Sequence, residues 1–449
     1  MAGAPSRVKV QNFKGVLQMS HPNHTTDHDV LVIGGGPAGS AVATLLADAG
    51  RRVLVLEREN FPRFKVGESL IPATYDVLDR LGMLEKLRSS HFVEKYSVQF
   101  YSGSGRSSVP FYFQEIDPSE RSQTWQVLRS EFDQMLLDNA RDHGVQVEEG
   151  VAVKDVLFDG DRAIGVRAAF PNAEGGQEVR NLHSKVVIDA SGQRAMLARK
   201  LKLREPDPCL RMAALFAHFE GGQRDPGIDE GATLILHTEN QEAWFWYIPL
   251  PDDRVSVGVV GPIPHLIQGR QGDPSKVYEE EIQRCPGLVP KLEDAKRISD
   301  VHVLNDFSYV TREVAGDGWM LVGDACGFLD PMYSSGVLLA LRSAELAADT
   351  LNAAFETGNL DAEHLQTYGP RFKDGMGAFR QLVYAFYTPG FSFAHFLKRY
   401  PQHRLSVIYI LQGDVFDHDF TELFRDLDQT LTEMRSTSDP AGETLAATA

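Results

Sequence analysis

The chain has 449 residues, of which 43% are hydrophobic and 24% are charged, and its formal net charge is −17. This size and composition are typical of a globular protein with two or three subdomains, and the acidic balance argues against a nucleic-acid or anionic-membrane surface. No apolar run approaches the ~18 residues of a membrane span. Cys209, Cys285 and Cys326 are scattered and form no C-x-x-C pair, so we expect no metal site, no disulfide framework and a cytoplasmic location.

Both ends of the chain are predicted to lie outside the folded part. Residues 1–26 are polar and mixed, and they lack the apolar core of a signal peptide, which predicts a flexible N-terminal extension. Residues 435–449 are mostly small and polar, which predicts a disordered tail.

The first folded segment carries a nucleotide-binding pattern. A buried strand is predicted from Asp29 to Ile33, a glycine-rich turn and a helix follow, and the next strand ends at Glu57. A G-x-G-x-x-G turn between a strand and a helix, with an acidic residue after the next strand, is the Rossmann fingerprint. The glycines let the backbone approach a pyrophosphate at the helix N-terminus, and the acidic side chain can hold a ribose hydroxyl. The binding residues predicted here are Gly34, Gly36, Pro37, Ala38, Gly39, Glu57 and Arg58.

Three later segments identify the nucleotide. Residues 127–133 form a V-L-R-x-E-F-D helix entry, 186–192 end in D-A-S-G, and 319–325 end in G-D-A. In this order the segments resemble the large group of FAD enzymes similar to p-hydroxybenzoate hydroxylase. The resemblance implies FAD as the cofactor, with Arg129 reaching it and Asp324 beside its ribityl chain and pyrophosphate.

This resemblance implies an α/β protein with a Rossmann-like FAD-binding fold, an inserted β-sheet substrate domain and a small helical C-terminal part. The predicted boundaries are 27–95, 124–204 and 300–358 for the discontinuous FAD-binding domain, 96–123 and 205–299 for the β-rich substrate domain, and 359–434 for the helical region. We expect the inserted sheet to cover the flavin and the helices to close a substrate cavity.

Residues 244–249 read Trp-Phe-Trp-Tyr-Ile-Pro and hold two of the four tryptophans. The β-prone run predicts a strand, which places Trp244 and Trp246 on one face. The residues alone are equally consistent with a purely structural role, in which both tryptophans pack in the hydrophobic core. The hexapeptide matches the W-x-W-x-I-P signature of flavin-dependent halogenases, which the chain resembles over residues 28–430.

A loop and a lysine also resemble the corresponding segments of flavin-dependent halogenases. The V-G-E-S-L-x-P core at 66–72 implies that Glu68 and Ser69 lie near the isoalloxazine, although relatives that do not halogenate share this run. Lys95, with Phe100 five positions later, resembles the catalytic lysine of halogenases. Most lysines lie on the surface, but apolar neighbours on both faces of the predicted strand 92–100 favour a partly buried side chain. Lys65 is the competing candidate, and its loop is expected on the flavin side.

A helix start after the G-D-A strand offers an anion site. Ser334 or Ser335 is suited to N-cap this helix, and free amides at a helix start attract anions. The resemblance implies that Ser335 and Gly336 hold chloride or bromide beside the flavin. From the residues alone, the helix start could equally stabilise the negative charge of a reduced flavin. The resemblance also places Pro331, Gly336 and Val337 at the cofactor.

Tyr333 stands where tryptophan halogenases carry a glutamate, and an aromatic residue there resembles the branch that acts on phenols and pyrroles. The segment 404–414 and the chain length resemble pyrrole halogenases, whose substrate is a thioester on a carrier protein. The implied partners are therefore a flavin reductase that supplies FADH2 and a small aromatic substrate, free or carrier-bound.

The implied reaction uses reduced FAD and oxygen to convert the halide to hypohalous acid. The acid would pass Trp244 and Trp246 to Lys95, which would hold it towards the substrate ring. Three alternatives remain open from the sequence: an aromatic hydroxylase, a reductase resembling geranylgeranyl reductase, and a flavin-binding protein without catalysis.

Overall fold

The computed structural model of the protein describes residues 28–268, 270 and 273–438. The predicted N-terminal extension, residues 1–26, lies outside the described residues. The last helix reaches Ser438, inside the range predicted as a disordered tail, and the remainder of that tail is also outside the described residues.

The fold alternates parallel strands and helices at its beginning and gathers helices at its end. The strands are β1 (His28–Ile33), β2 (Val53–Leu56), β3 (Val93–Lys95), β4 (Ser97–Tyr101), β5 (Phe111–Tyr112), β6 (Thr124–Gln126), β7 (Gln146–Glu148), β8 (Ala152–Asp159), β9 (Arg162–Pro171), β10 (Gln177–Asp189), β11 (Arg204–Pro206), β12 (Met212–Glu220), β13 (Thr233–His237), β14 (Trp244–Leu250), β15 (Arg254–Pro262), β16 (Lys296–Arg297), β17 (His302–Asn305), β18 (Tyr309–Thr311), β19 (Ala315–Gly316), β20 (Trp319–Leu321) and β21 (Gly327–Phe328). The helices are α1 (Pro37–Asp48), α2 (Thr74–Arg80), α3 (Leu84–Arg88), α4 (Arg129–Asp142), α5 (Met196–Lys200), α6 (Ile263–Leu266), α7 (Pro274–Gln283), α8 (Gly336–Thr357), α9 (Ala362–Leu365), α10 (Gly369–Tyr387), α11 (Phe393–Arg399), α12 (Arg404–Gln412) and α13 (Thr421–Ser438).

The first sheet is the predicted Rossmann-like sheet, with the order β19-β20-β10-β1-β2-β7. Strand β1 pairs in parallel with β10 and β2, and β10 pairs in parallel with β20. Val30 to Ile33 are all buried, as expected of a parallel strand covered on both faces. Helix α1 contacts both α4 and α8. The predicted α/β fold class is confirmed.

The second sheet has the order β16-β12-β15-β14-β13-β4-β5 and is mostly antiparallel. Trp244 and Trp246 lie in the core shared with the first sheet, whereas Phe245 and Tyr247 lie in a separate core against α7. The prediction that both tryptophans share one face of a strand is confirmed.

Two stretches contain less strand than predicted. Between β4 and β6 the chain is mostly turns and short 3-10 segments, because Gly103, Gly105, Pro110 and Pro118 favour turns. The predicted strand 92–100 is broken at Tyr96, since β3 pairs with β6 while β4 pairs with β13. Lys95 therefore lies at the joint between a two-stranded ribbon and the large sheet.

Helices α9 to α13 follow α8 and form the predicted helical C-terminal part, while the domain boundaries themselves stay a prediction. Helix α10 contacts both α8 and α13. Within the described ranges, no helix is both long and apolar enough to cross a membrane.

Replacing Gly39 by alanine should loosen the contact between α1 and β1. A Cβ at this position would lie 1.9 Å from the carbonyl oxygen of Gly34, so the helix must shift. We expect Gly39→Ala to lower the free energy of unfolding by about 1–3 kcal/mol, measured by urea denaturation, and to lower the FAD content of the purified protein.

Gly377→Ala in α10 is the matched control, because nothing lies within 4 Å of its added Cβ. It should leave stability unchanged or raise it by up to about 1 kcal/mol, since alanine suits a helix interior better than glycine. If both variants lost the same free energy of unfolding, the argument from the close contact at Gly39 would be contradicted.

Candidate active site

A cavity of about 550 Å³ lies at the carboxyl ends of β1, β2, β10 and β20, which is the usual ligand position in an open α/β sheet. The second sheet forms its opposite wall through Phe216, Thr233, Ile235, Trp246 and Ile248. The predicted cofactor residues that line it are Gly34, Gly36, Pro37, Ala38, Glu57, Arg58, Glu68, Ser69, Arg129, Asp324, Pro331, Gly336 and Val337.

The glycine turn is shaped by close backbone approach. Gly34 has φ +105°, and a Cβ there would lie 2.5 Å from Ala190 O. Gly39 is buried under the turn, behind the cavity lining. Gly36 faces the cavity, where the nearest atom to an added Cβ is an Arg63 guanidinium nitrogen at 3.3 Å. The turn therefore leaves backbone accessible at a helix N-terminus, as a pyrophosphate requires.

Glu57 and Asp189 end two parallel strands and fix the loops after them. The Glu57 carboxylate accepts hydrogen bonds from the amides of Gly35 at 2.7 Å and Glu59 at 2.9 Å. Asp189 accepts from the amides of Ser191 at 2.9 Å and Leu197 at 2.7 Å. Asp189 is fully buried, so burial raises its pKa despite these bonds.

Arg129 stabilises the loop that carries Glu68 and Ser69. Its guanidinium donates to both carboxylate oxygens of Asp133, at 2.7 and 3.1 Å, and to the carbonyl oxygen of Val66 at 2.6 Å. Asp324 also lines the cavity, and burial raises the pKa of its carboxyl to about 6, an effect that nearby Arg129 partly opposes.

Glu68 provides a direct test of whether a ligand fits here. The side chain is 1% exposed, and its Oε1 lies 2.7 Å from Nε2 of His218. Its buried Oε2 has no hydrogen-bond partner within the described ranges. A buried carboxylate oxygen without a hydrogen-bond donor destabilises the fold unless a ligand in the cavity donates to it. The glycine cradle, Glu57 and this oxygen together fit FAD.

Lys95 is completely buried, more than the partial burial that was predicted. Its Nζ donates to Ser69 Oγ at 2.8 Å and to the carbonyl oxygen of Leu70 at 2.9 Å. The ring of Phe113 lies 5.5 Å from Nζ. Burial lowers the pKa of Lys95 to about 7 because the charged ammonium loses its hydration. The competing Lys65 lines the flavin cavity instead.

A chain of polar side chains joins Lys95 to the flavin cavity. Ser69 Oγ lies 2.9 Å from Thr233 Oγ1, which also accepts from Gln126 Nε2 at 2.9 Å. Ser69 and Thr233 both line the large cavity. The Lys95 amine is therefore separated from the large cavity by a single hydroxyl group, that of Ser69.

A second cavity of about 20 Å³ lies beside Lys95, enough for roughly one water-sized molecule. Thr233, Ile235 and Ser334 line both cavities and so form the wall between them. The rest of the small cavity is apolar or aromatic: Ile71, Val98, Phe100, Phe111, Phe113, Met332, Tyr333 and Leu411.

The two tryptophans occupy different positions. Trp246 lines the large cavity, donates from Nε1 to Ser256 Oγ at 3.2 Å, and lies across Gly258, where a Cβ would be 2.1 Å from the indole. Trp244 is absent from the lining of both cavities in the described part of the chain. Its Nε1 donates to the hydroxyl of Tyr387 at 2.9 Å.

The predicted halide loop turns sharply before α8. Ser334 has a left-handed φ of +53°, and Ser335 takes the predicted N-cap position without a side-chain capping bond. Gly336 lines the large cavity, whereas Ser335 is buried behind it. The first α8 amide with a backbone acceptor in the described residues is that of Leu339, which donates to Ser335 O at 2.9 Å. The amides before it are available to an anion.

Sequence reasoning missed several residues of this site: Gln126, His218, Thr233, Asp330 and Tyr387. His218, Thr233 and Tyr387 meet the predicted residues only through long-range packing, so no local motif marks them. Gln126 and Asp330 directly adjoin the predicted segment 127–133 and Pro331, and that position was the one available signal. All three cysteines are free, and the described residues contain no group of His, Cys, Asp or Glu side chains that could hold a metal ion.

Lys95 should make the stability of the protein depend on pH in a defined direction. Its pKa is about 7 in the folded protein and has an ordinary value of 10.5, so between these values the unfolded chain binds more protons and stability rises with pH. The Lys95→Met protein has no amine at this position, so it avoids the free-energy cost of burying the charge or losing the proton. We expect its stability advantage over wild type to be greatest near about pH 6 and to shrink toward about pH 9.5, by up to about 1.4 kcal/mol per pH unit.

Urea midpoints measured across this pH range check the trend. Lys65→Met, at an exposed loop lysine, reports the effect of simply removing one surface lysine. A constant difference between Lys95→Met and wild type at every pH would contradict the burial argument.

Comparison with known proteins identifies the family. The FAD binding domain family matches residues 27–376. The chain is 32% identical to the 1H-pyrrole-2-carbonyl-(peptidyl-carrier protein) chlorinase of Pseudomonas fluorescens, over 91% of this chain and 94% of that protein. It is 33% identical to the corresponding brominase of Pseudoalteromonas luteoviolacea, over 87% of this chain and 93% of that one. The solved structure of the flavin-dependent brominase Bmp2 superposes with a TM-score of 0.81, at 30% identity over 91% and 99% of the two chains. The chain belongs to the flavin-dependent halogenases and is an FAD-dependent enzyme of that family.

Proposed function

We propose that the enzyme halogenates an electron-rich aromatic ring, a phenol or a pyrrole, with chloride or bromide, using FADH2 supplied by a partner flavin reductase in the cytoplasm. The observation that carries the proposal is Lys95, an amine completely buried beside a small cavity and separated from the flavin cavity by one wall. A buried lysine without a carboxylate partner is destabilising, so a catalytic role explains its presence.

The chemistry that the flavin supplies when bound is the activation of oxygen that oxidises the halide. The Ser335 and Gly336 segment at the start of α8 holds the halide through backbone amides. Gly34, Gly36, Pro37 and Ala38 take the pyrophosphate, with Gly39 giving the turn its shape. The further predicted cofactor contacts are Glu57 and Arg58 at the ribose side, Arg129 and Asp324 near the ribityl chain, and Glu68, Ser69, Pro331 and Val337 near the ring.

Lys95 orients the hypohalous acid. Two of its hydrogen-bonding directions are fixed on Ser69 Oγ and Leu70 O, which leaves the remaining direction for a molecule in the small cavity. A pKa of about 7 lets the amine donate or accept a proton near neutral pH. Ile235, with Thr233 and Ser334, separates the two cavities, and Trp246 covers the flavin side with an apolar ring.

The aromatic lining supports an electron-rich substrate. Phe100, Phe111, Phe113 and Tyr333 line the small cavity, so the immediate neighbours of the Lys95 amine are aromatic rather than charged. Tyr333 supplies no carboxylate base, which suits phenols and pyrroles. The two relatives named above act on a pyrrole carried by a peptidyl-carrier protein, which supports a carrier-bound pyrrole as one substrate form and both halides as candidates.

The alternative functions have less support. An aromatic hydroxylase gives Lys95 no task. A reductase acting on an isoprenoid chain likewise gives this buried amine no task.

A product assay tests the proposal. Purified enzyme with FAD, a flavin reductase, NADH, oxygen and bromide is offered phenols, pyrroles and a pyrrole loaded on a carrier protein. Mass spectrometry should show the paired bromine isotope pattern in an enzyme-dependent product that added catalase does not abolish. Oxygenated product without bromine would instead support the hydroxylase.

Lys95→Ala should separate halide oxidation from halogenation of the ring. We expect at least about a hundredfold less brominated substrate, because positioning and acid–base catalysis contribute on this order. Hypohalous acid should still form and be trapped in solution by monochlorodimedone. Lys154→Ala is the control, because this exposed lysine of β8 lines neither cavity. It should brominate like wild type, and a Lys95→Ala enzyme that did so would contradict the role of Lys95.

A further inference from the structure

A buried hydrogen-bond chain connects the tryptophan strand β14 to the loop before α8. Trp244 Nε1 donates to the Tyr387 hydroxyl at 2.9 Å, and that hydroxyl donates to the Asp330 carboxylate, with oxygen distances of 3.0 and 3.2 Å. Asp330 Oδ1 also accepts from the amide of Met332 at 3.0 Å. Trp244 and Asp330 are each 2% exposed, so water does not substitute for these bonds.

The direction of each hydrogen bond in this series follows from the chemistry of the groups. An indole N–H can only donate, so the Tyr387 oxygen accepts from Trp244 and its single proton goes to Asp330. Burial raises the pKa of Tyr387 well above its ordinary value, which keeps the phenol protonated. Replacing Tyr387 by phenylalanine would leave a buried donor and a buried acceptor without partners at once.

The loop at the end of these hydrogen bonds, residues 330–336, needs support from other parts of the fold. Ser334 adopts a left-handed φ of +53°, which costs a non-glycine residue roughly 1 kcal/mol or more. Asp330 accepts from Met332 at the start of the turn, and Tyr333 donates its hydroxyl proton to Leu382 O at 3.2 Å. Tyr387 and Leu382 both belong to α10, so one helix secures the loop at two points.

We propose that Tyr387 is a positioning residue of the halide site, which holds residues 330–336 in the conformation that presents the first α8 amides to the anion. Trp244 acts through it as the anchor on the sheet rather than as a lining of the passage. This inference rests on the proposed halide site at Ser335 and Gly336. Ser334 lines both cavities, so a relaxed loop would also change the wall between flavin and Lys95.

The test compares Tyr387→Phe with Tyr384→Phe. The control tyrosine lies on the same helix, but its hydroxyl donates to Asp207 Oδ2 at 2.6 Å rather than to a residue of the loop 330–336. Two quantities are measured for each FAD-loaded protein: the bromide KM and kcat of ring bromination, and the rise in thermal unfolding midpoint when sodium bromide replaces sodium gluconate at constant ionic strength.

Tyr387→Phe should raise the bromide KM by about tenfold, as expected for one lost buried hydrogen bond, with a much smaller change in kcat. The rise in unfolding midpoint caused by bromide should shrink in the same variant. Tyr384→Phe should match wild type in both. Trp244→Phe removes the N–H donor at the other end of this series of hydrogen bonds, together with part of the buried indole ring. It should move both quantities in the same direction, and it is the variant to measure if Tyr387→Phe does not fold.

The double variant Trp244→Phe and Tyr387→Phe should resemble Tyr387→Phe alone, because both changes break one chain. A Tyr387→Phe protein with wild-type bromide KM and wild-type bromide stabilisation would overturn the inference and leave the proposed halogenation intact. A wild-type protein that gives neither brominated product nor bromide stabilisation would overturn the proposed halide site and this inference with it.

Discussion

An amine removed from water constrains most of what surrounds it, and Lys95 is such an amine. No carboxylate of the described residues lies within ion-pair distance of its Nζ, and its hydrogen bonds go to a hydroxyl and a carbonyl. Neutral partners do not offset the cost of burying a full charge, which is why the pKa falls to about 7. The protein keeps a group whose charge changes easily at the place where a polar, reactive molecule must be held.

The surroundings of Lys95 come from three distant parts of the chain. Ser69 follows the loop stabilised by Arg129 and Asp133, Thr233 belongs to β13, and Phe113 precedes β6. The break at Tyr96 lets β3 and β4 pair with different strands, so Lys95 lies where the β3–β6 ribbon meets the inserted sheet. The ribbon and the inserted sheet are therefore both needed to build one polar site between the two cavities.

Local sequence patterns predicted the strands, helices and cofactor motifs, whereas long-range packing determines which side chains meet at the site. The glycine turn, Glu57 and the one-sided tryptophans follow from strand and turn periodicity, and the FAD fold from motifs in a fixed order. The complete burial of Lys95 was not predictable, because its partner Ser69 lies 26 positions away in sequence and the pairing of β3 is not local. Trp244 and Tyr387 are 143 positions apart, and nothing in the region 359–434, for which the sequence predicted only helices, indicated that α10 would hold the loop before α8.

The indole of Trp246 lies across Gly258 on the neighbouring strand, where even a methyl group would lie 2.1 Å from the ring. The two positions thus share one volume, and the size of one limits the other. A homologue that has lost this tryptophan is free to carry a side chain in place of the glycine, and a redesign that widens the flavin cavity at Trp246 opens the same space to residue 258. Position 258 therefore cannot gain a side chain unless residue 246 is made smaller first.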